Sequence, residues 1–429
     1  MIAENTRETS TMRPTRRTFL GTTFGAGASV LAAGRATAGD DKQALLHRLD
    51  EVAAAPVLNV DCIDQPVKIA SIELLRNGRN FLVRVRSTDG AEGIAVPNAM
   101  HLIHTYPIFL NRVAPFFVGK DARRLEPLLW ELYRHDDNYK YQGLALWVCV
   151  AAAEFALLDL LGKVAGKSVG RLLGGVLRRE IAVYRASGNR GNTPEVEVEY
   201  LKRIVAESGA KALKFRLGGR MSKNADSLPG RTERLIPMVR EAFGKEMTLY
   251  ADANSSYDAK NAIRIGRLME EHGYAFYEEP CEFDHLEETK AVADALRIPV
   301  AAGEQEFSED RFRWVIANRG VDIVQPDLHY YGGFIRSMRV ARMAHEAGML
   351  CTPHMSGSGL GYLDAAIFAS CIPNPVPFTE YKGSAEIPVT SDTSTLKVEG
   401  GMVRVPTGPG FGVTIDPAFV RDAVKVTTS

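Results

Sequence analysis

Three carboxylates recur at a fixed interval in the second half of this sequence: Asp252 in Asp-Ala-Asn, Glu278 in Glu-Glu-Pro and Glu304 in Gly-Glu-Gln. Each follows a short apolar run that is typical of a buried strand. Parallel strands of a barrel lie side by side, so their ends would bring the three carboxylates together. Converging carboxylates repel one another unless a cation lies among them, and oxygen ligands suit Mg²⁺, with Mn²⁺ as an alternative. We predict one metal site here; three unrelated surface acids are the competing interpretation.

Further polar residues follow the other apolar runs: Lys214, Arg216, Asp327, His354 and Glu380. A metal-bound substrate carboxylate would make the proton on its neighbouring carbon removable, because the resulting enediolate places its charge on the metal. Histidine titrates near neutrality, so His354 is the predicted base, and Asp327 would hold the far ring nitrogen. Lys214 would add positive charge at the substrate carboxylate. Glu380, if protonated, would donate a hydrogen bond to its second oxygen.

Simpler interpretations of these residues stay open from the sequence alone. His354 is also compatible with a hydrogen-bonded core histidine, and Asp327 with a cap of the following helix. Arg216 is equally compatible with an ion pair to one of the metal carboxylates. His329 and His285 fall in barrel loops and are weaker candidates for a second acid, with His329 also a candidate for substrate binding.

The chain between residues 181 and 381 alternates short apolar runs with amphipathic segments, which predicts a parallel barrel. The eight predicted strands are Ile181–Ala186, Ala212–Leu217, Thr248–Ala253, Ala275–Glu279, Pro299–Glu304, Ile323–Pro326, Leu350–His354 and Val376–Tyr381. Before them, Val67–Pro97 has the alternation and turn residues of an antiparallel meander, and Leu144–Leu161 is apolar enough for a buried helix. The C-terminal tail is expected to return to the N-terminal domain and to have no partner in the barrel.

The first 38 residues have the features of a twin-arginine export signal. Thr15–Leu20 contains the arginine pair, Phe19–Gly34 is uncharged and rich in Gly and Ala, and residues 36–38 offer a small-residue cleavage site. The uncharged stretch is too short for a membrane span. We therefore expect a periplasmic mature chain without a stable membrane anchor, beginning with an extension over residues 39–64.

The composition of the chain indicates which kinds of partner the protein binds. Lys plus Arg and Asp plus Glu each total 52 residues, which gives no electrostatic case for binding nucleic acid. The five cysteines lack the spacing of metal ligands and are interpreted mostly as buried free thiols. A small molecule is the expected partner.

The series Asp-x-Asn, Glu-Glu-Pro, Gly-Glu-Gln, Gln-Pro-Asp, Pro-His and Glu at successive strand ends resembles the enolase superfamily, in its mandelate racemase branch, and most of all the acid-sugar dehydratases. The resemblance implies an α/β fold: a modified (β/α)7β TIM barrel over residues 181–383, and an α+β capping domain over residues 65–180 that residues 384–429 complete. It also implies that Asn254 assists beside the first metal ligand, that Lys214, Asn254 and Glu380 bind a carboxylate substrate, and that the protein is a homo-oligomer, a dimer or an octamer.

One departure from the resembled family bears on the reaction. Racemases of this branch carry a basic lysine where this chain has Arg216, and arginine is a poor base because it stays protonated. Asp327 stands where the muconate-lactonizing branch has a lysine. A single base, His354, predicts one-faced chemistry: a Mg²⁺-dependent dehydration of a sugar acid to a 2-keto-3-deoxy acid. The alternatives are an epimerase or racemase of the same superfamily, and a periplasmic sugar-acid binding protein without turnover.

Overall fold

The computed structural model describes residues 38–356, 359–383 and 387–427, with side chains described from Asp41 onward, and residues from Lys42 onward form one compact unit. The twin-arginine segment lies outside the described residues. The first helix, α1 (Ala38–Ala54), packs on the outside of the barrel through ion pairs such as Arg48 with Glu346 at 2.8 Å.

The N-terminal domain begins with the predicted meander, which is confirmed. Strands β1 (Ile69–Asn77), β2 (Asn80–Ser87) and β3 (Glu92–Ala95) pair antiparallel in that order. Gly78 and Gly90 take positive φ angles of 59° and 91° in the two connecting turns, as such tight turns require. The helices that follow are α2 (Ala99–Ile108), α3 (Ala114–Phe117), α4 (Leu125–Arg134), α5 (Leu144–Ala165) and α6 (Val169–Leu172), with a π-helical segment Phe109–Val113 and 3₁₀ turns Ala122–Arg124 and His135–Tyr141.

The second domain contains all eight predicted strands, and the predicted barrel class of fold is confirmed. The strands are β4 (Glu180–Ala186), β5 (Ala212–Arg216), β6 (Thr248–Asp252), β7 (Phe276–Glu278), β8 (Val300–Ala302), β9 (Ile323–Val324), β10 (Leu350–Cys351) and β11 (Thr379–Tyr381). The helices between them are α7 (Pro194–Ser208), α8 (Arg231–Phe243), α9 (Ala259–Glu271), α10 (Leu286–Ala295), α11 (Glu309–Ala317), α12 (Phe334–Glu346) and α13 (Gly361–Cys371). Parallel pairing runs from β4 to β10 in sequence order, with β11 on the other edge of β4. Backbone hydrogen bonds of Cys351 with residues 374 and 376 link β10 to the segment before β11.

Side-chain alternation divides the barrel interior into an apolar level and a polar level. Tyr250 and Phe276 stack with ring centroids 3.8 Å apart inside the barrel. Two residues further along the same strands stand Asp252 and Glu278, and residues two apart in a strand face the same side. The register places Arg216 beside Asp252, and Asp252 beside Glu278. Charged side chains therefore lie together at the carboxyl end of the barrel, next to the layer of aromatic rings.

Helix α5 is the buried helix expected from its sequence. It is long and apolar enough to cross a membrane, but 89% of its most apolar stretch is buried within the protein. Its two acids, Glu154 and Asp159, have structural roles. Glu154 accepts the backbone N–H groups of Phe334 and Ile335 at the start of α12, at 2.6 and 3.1 Å, and Asp159 accepts those of Ile94 and Phe411. Glu154 thus fixes the N-terminal domain against the barrel, and Asp159 holds β3 and the C-terminal tail to α5.

The C-terminal tail pairs with both domains, so the expectation that it has no partner in the barrel is wrong. Its elements are β12 (Val389–Thr390), β13 (Val398–Glu399), β14 (Met402–Arg404), β15 (Thr414–Ile415), α14 (Pro417–Arg421) and β16 (Val424–Lys425). β16 joins β1 antiparallel, as expected. β14 pairs antiparallel with Glu180–Ala182, the first residues of β4, which precede the positions where β4 pairs with β5 and β11. Those residues offer free backbone groups that the tail satisfies.

Replacing Gly333 with alanine tests the contact between the domains. Gly333 has a φ of 115°, and a Cβ there would overlap the Glu154 carboxylate. We expect Gly333→Ala to lower the free energy of unfolding by about 2–4 kcal/mol, measured by denaturant titration. Gly174→Ala is the control: its φ of 109° is close to that of Gly333 but nothing lies within 4 Å of the added Cβ, so about 1–2 kcal/mol is expected from backbone strain alone. Equal losses in the two variants would contradict the role given to Glu154.

Candidate active site

The structure brings the three predicted metal ligands together at the carboxyl end of the barrel. Asp252 ends β6, Glu278 ends β7, and Glu304 follows β8 after a turn at Gly303, whose φ is 132°. One oxygen from each carboxylate lies within 4.8 Å of the others, and all three side chains are buried. This is the convergence that the 26-residue spacing predicted.

The donor set fits a hard divalent cation. A fourth carboxylate, Glu279, lies beside the triad and accepts a hydrogen bond from Asn254 at 3.1 Å. Glu279 Oε1 and Glu304 Oε2 are buried and accept no hydrogen bond from the described residues. Burial, with the nearby charge of Glu304, raises the pKa of Glu279 well above its ordinary value. The three carboxylates of the triad, with Glu279 beside them, are a ligand set for Mg²⁺ or a similar ion, which favours oxygen ligands.

Two cations on β5 supply part of the missing positive charge. Lys214 Nζ donates to both oxygens of Glu278, at 2.6 and 2.8 Å, and lies 3.0 Å from Glu380 Oε1. Burial opposes its charge, but Glu278 and Glu380 outweigh that effect and raise the pKa of Lys214. Lys214 is therefore a fixed positive charge. Arg216 forms an ion pair with Asp252, which is the structural role that the sequence left open for it.

Asp327 and His354 form the predicted pair. His354 Nδ1 lies 2.7 Å from Asp327 Oδ2, and the two residues also form a backbone bridge between the ends of β9 and β10. Burial opposes ionisation of Asp327, but the hydrogen bond and charge of His354 lower its pKa. The other ring nitrogen, Nε2, points into the site, 3.0 Å from Glu304 Oε2 and 3.7 Å from Glu380 Oε2. A histidine held this way presents one nitrogen to a substrate beside the triad.

Asp327 does not cap the following helix, so that alternative interpretation is wrong. Its second oxygen, Oδ1, accepts the backbone N–H groups of His329 and Tyr330 at 2.8 and 2.9 Å. These residues form the turn after β9, well before α12 begins. One carboxylate therefore fixes the loop with one oxygen and the histidine with the other.

Glu380 lies in the site but not in the state that the sequence suggested. Its Oε2 accepts the backbone N–H of Met355 at 2.9 Å, and Lys382 Nζ lies 3.5 Å from the same oxygen. Burial opposes the charge, but Lys214, Lys382 and His354 together hold the pKa of Glu380 well below its ordinary value. Glu380 is therefore an ionised acceptor here. The prediction of a protonated donor is wrong for this arrangement, because two lysines flank the carboxylate.

The neighbours of the triad are held by a small amide network. Asn254 donates its backbone N–H to Asp252 Oδ1 at 2.7 Å and its side-chain amide to Oδ2 at 3.1 Å. Its φ of 38° is unusual for a residue other than glycine, and its contacts compensate that strain. Gln325 donates to Glu278 Oε2 at 3.0 Å. The predicted assistant Asn254 thus orients the first ligand, and Gln325 orients the second.

The two weaker histidine candidates do not join this group. The His329 ring packs on Phe155 with centroids 4.8 Å apart, and its Nε2 lies 3.6 Å from Asp364 on α13. The structure thus directs the ring away from the triad, which corrects its prediction as a substrate-binding residue. His285 is an exposed residue at the start of α10, near Glu288. A histidine in a loop gives no sequence signal for the direction of its ring.

Two short chains of contacts connect the N-terminal domain with the Asp327–His354 pair. Asn98, at the N-terminus of α2, donates to Ser356 Oγ at 2.7 Å, and Ser356 lies 3.3 Å from Asp327 Oδ1. His101, one turn later, is 2.8 Å from the Tyr330 hydroxyl. The Tyr330 ring packs beside His354, with centroids 6.2 Å apart. The cap therefore helps to position the predicted base.

Sequence reasoning missed several residues of the site. Lys382 lies two residues after Glu380 and approaches His354 Nε2 to 3.5 Å, so strand alternation from Glu380 would have found it. Glu279 was visible in Glu-Glu-Pro as the neighbour of a ligand. Arg190, in the loop after β4, donates to Asn254 Oδ1 at 2.5 Å, and nothing in its local sequence marks it.

Comparison with known families agrees with this geometry. The family model described as "Enolase C-terminal domain-like" matches residues 197–419, and the one described as "Mandelate racemase / muconate lactonizing enzyme, N-terminal domain" matches residues 54–174. The chain belongs to the enolase superfamily. Within it, the chain is a member of the mandelate racemase/muconate lactonizing enzyme family, as its strand-end motifs predicted.

Relatives of this enolase-superfamily protein are named for two different reactions, dehydration and cycloisomerisation. The chain is 26% identical to an arabinonate dehydratase of Saccharolobus solfataricus, over 77% of this chain and 87% of the relative. It is 29% identical to a D-galactarolactone cycloisomerase of Agrobacterium fabrum, over 84% of this chain and 94% of the relative.

Solved structures of the family superpose over most of the chain. A putative racemase from Roseobacter denitrificans is 35% identical with a TM-score of 0.78, covering 84% of this chain and all of the other. A mandelate racemase/muconate lactonizing protein from Paracoccus denitrificans PD1222, complexed with magnesium, is 27% identical with a TM-score of 0.75, covering 84% of this chain and 98% of the other.

Metal binding is directly measurable as a change in stability. We expect Mg²⁺ to raise the melting temperature, because an ion at 100 times its Kd stabilises a protein by about 2.7 kcal/mol, and EDTA to reverse the effect. Glu304→Gln should lose most of this shift. Glu306→Gln is the matched control, since that buried carboxylate lies two residues away but pairs with Arg311. An unchanged Mg²⁺ shift in Glu304→Gln would exclude the triad as the site.

Proposed function

We propose that this protein is a Mg²⁺-dependent sugar-acid dehydratase. The observation that carries the proposal is the placement of His354, the one candidate base beside the triad among the described residues. His354, oriented by Asp327, presents Nε2 to the triad from the β10 side. On the β5 side stand Lys214 and Arg216, both engaged with carboxylates and neither able to act as a base at neutral pH. Elimination of water needs a base on one face only, whereas racemisation needs one on each.

The cation of this proposal would be held by Asp252, Glu278 and Glu304. Bound Mg²⁺ would supply Lewis-acid stabilisation of the negative charge that develops on the substrate carboxylate. The protein's own contribution is to place further positive charge nearby. Lys214 is a permanent cation, and its Nζ lies 3.0 Å from Glu380 Oε1. Lys382 Nζ lies 3.5 Å from the other oxygen of Glu380. A preorganised positive site of this kind stabilises an enediolate without reorganisation.

Proton transfer would then run through His354. Its Nε2 takes the proton from C2 of the substrate, and the C2 electron pair moves into the enediolate. The same nitrogen, now protonated, gives that proton to the 3-hydroxyl group as the C3–O bond breaks, and water leaves. The resulting enol tautomerises to a 2-keto-3-deoxy acid. Asp327 keeps the ring in position and stabilises its positive charge between the two transfers.

The relatives support sugar acids as the substrate class but leave two reaction types to compare. The name of the S. solfataricus relative supports dehydration, and the name of the A. fabrum relative supports cycloisomerisation of a sugar-acid lactone. The second candidate function is therefore an isomerase, either a cycloisomerase or an epimerase, which uses the same α-proton abstraction. A binding protein without turnover has less support, because ligand binding alone does not need the Asp327–His354 pair.

Incubation with sugar acids in deuterated water separates these possibilities. We expect the purified protein with Mg²⁺ to convert at least one acid of a mono- and diacid library to a keto product, detected with semicarbazide. His354→Asn should abolish both this product and C2 deuteration seen by NMR, because it removes the base. Asp364→Asn is the matched control, since that buried acid pairs with His329 and lies outside the proton path. C2 deuteration, an epimer or a rearranged lactone without keto product would favour an isomerase instead.

We also propose that the protein is exported by the twin-arginine route, on the basis of residues 15–38 alone. This route carries folded proteins, so the buried metal site would be assembled before export. Cell fractionation should find the wild-type protein in the periplasm and an Arg16→Lys, Arg17→Lys variant in the cytoplasm. Equal distributions would contradict export by this signal. The oligomeric state stays a prediction.

A further inference from the structure

Lys382 lies beside the reactive nitrogen of His354, and the proton transfers proposed above do not use it. It directly follows β11 and stands two residues after Glu380. Its Nζ lies 3.5 Å from His354 Nε2 and 3.5 Å from Glu380 Oε2. Residues two apart in an extended segment face the same side, so Glu380 and Lys382 both face the site. The amine therefore lies where the base would meet a substrate.

The Lys382 amine has hydrogen-bonding capacity left for a ligand. A lysine ammonium group has three donors and no acceptor. The backbone carbonyl of Met355 accepts one of these donors. The contacts with His354 Nε2 and Glu380 Oε2 are long, since N–H hydrogen bonds usually measure about 2.7–3.2 Å. A substrate oxygen that approaches Lys382 would thus gain a donor without displacing the Met355 carbonyl.

The contacts of His354 Nε2 with the described residues comprise two carboxylates and one cation. Glu304 Oε2 lies 3.0 Å from this nitrogen and Glu380 Oε2 lies 3.7 Å from it, whereas Lys382 is the cation. In the proposed reaction the 3-hydroxyl group must come within reach of Nε2, and it would then also lie beside Lys382. An oxygen that gains negative charge at this place is repelled by the carboxylates and attracted by the ammonium group.

Other donors of the site are less suited to this oxygen. The Lys214 side chain has no exposed surface, whereas 24% of the Lys382 side chain is exposed. Lys214 is also bound to Glu278 at 2.6 and 2.8 Å, on the β5 side of the triad. Tyr330, whose ring packs beside His354, already shares its hydroxyl with His101 at 2.8 Å. Lys214 would thus serve the substrate carboxylate, and Lys382 the carbon chain beyond it.

We propose that Lys382 binds the 3-hydroxyl oxygen of the substrate and stabilises the charge that develops on it as the C3–O bond breaks. This inference rests on the proposed function and assigns a further catalytic residue to it. In this step the electron pair left on C2 forms the C2–C3 double bond, and the C3–O pair goes to the departing oxygen. His354 supplies the proton that completes water, while Lys382 keeps its protons and donates a hydrogen bond. A fixed donor aimed at developing charge needs no reorganisation during the reaction.

The ratio of two rates in deuterated water tests this role. C2 deuteration reports proton abstraction, and keto product reports the loss of water. We expect Lys382→Met to lower keto formation by about 100-fold or more, a common effect of removing one oxyanion donor, and to leave C2 deuteration no slower than in the wild type. Lys382→Arg, which keeps the charge and the donors, should recover at least about tenfold of the lost keto formation.

A purely structural role of Lys382 gives a different result. If Lys382 only supports Met355 and Glu380, both rates should fall by the same factor in Lys382→Met, and that outcome would overturn the proposal. Lys290→Met is the matched control, because Lys290 is exposed to a similar extent but pairs with Asp294 on α10. This control should change neither rate.

Calorimetry tests the contact with the hydroxyl group without turnover. In the His354→Asn protein with Mg²⁺, the probes are the aldonate of the library that binds most tightly and its 3-deoxy analogue. Adding Lys382→Met should weaken binding of the aldonate by about tenfold, and binding of the 3-deoxy analogue by less than about threefold. Only the aldonate has the hydroxyl group that Lys382 would bind. The same loss for both probes would contradict the assignment to the 3-hydroxyl oxygen.

Failure of this inference and failure of the proposed function give different results. If the wild-type protein forms no keto product from any sugar acid, the proposed function is wrong, and the role of Lys382 in elimination is removed with it. If keto product forms but Lys382→Met lowers both rates equally, dehydration stands and only the role of Lys382 is wrong. The calorimetric comparison is measurable in either case, because it uses a variant without the base.

Discussion

The structure depends on keeping four buried carboxylates together at one end of a barrel. Asp252, Glu278, Glu279 and Glu304 repel one another in a place that water hardly reaches, so each must be compensated. Lys214 and Arg216 supply two positive charges from the neighbouring strand, and the unused oxygens leave room for a divalent ion. This balance of charge explains why the site contains so many cations. It also explains why Glu380, which lies next to two lysines, is ionised.

The register of the parallel strands determines on which side of the site each charged group lies. Neighbouring parallel strands place Arg216, Asp252 and Glu278 side by side, so the β5 face of the site is occupied by cations that are already paired. The base comes from β9 and β10, on the other side of the ligands, where Asp327 and His354 meet. The site is therefore asymmetric, with the candidate base on one side and fixed charge on the other. That asymmetry is the physical reason for preferring elimination to racemisation.

The N-terminal domain contributes to the site without entering the metal cluster. Asn98 and His101 lie at the start of α2 and contact Ser356 and Tyr330, which in turn contact the Asp327–His354 pair. Glu154 fixes the same domain to the start of α12. A shift of the cap would thus change the orientation of the base.

The sequence alone determined the barrel, its eight strands, the convergence of the three carboxylates and the Asp327–His354 pair. These follow from local patterns: apolar runs mark buried strands, and parallel strands make a repeated strand-end position converge. The sequence could not determine quantities that depend on residues far apart in the chain. The ionised state of Glu380 follows from Lys214, 166 residues earlier, and the direction of the His329 ring follows from Asp364 and Phe155. The pairing of β14 with β4 was likewise decided only when distant segments packed together. Secondary-structure propensity and hydrophobic periodicity depend on residues that are close together in the sequence. Charge compensation and backbone hydrogen bonding depend also on residues that are far apart in the chain.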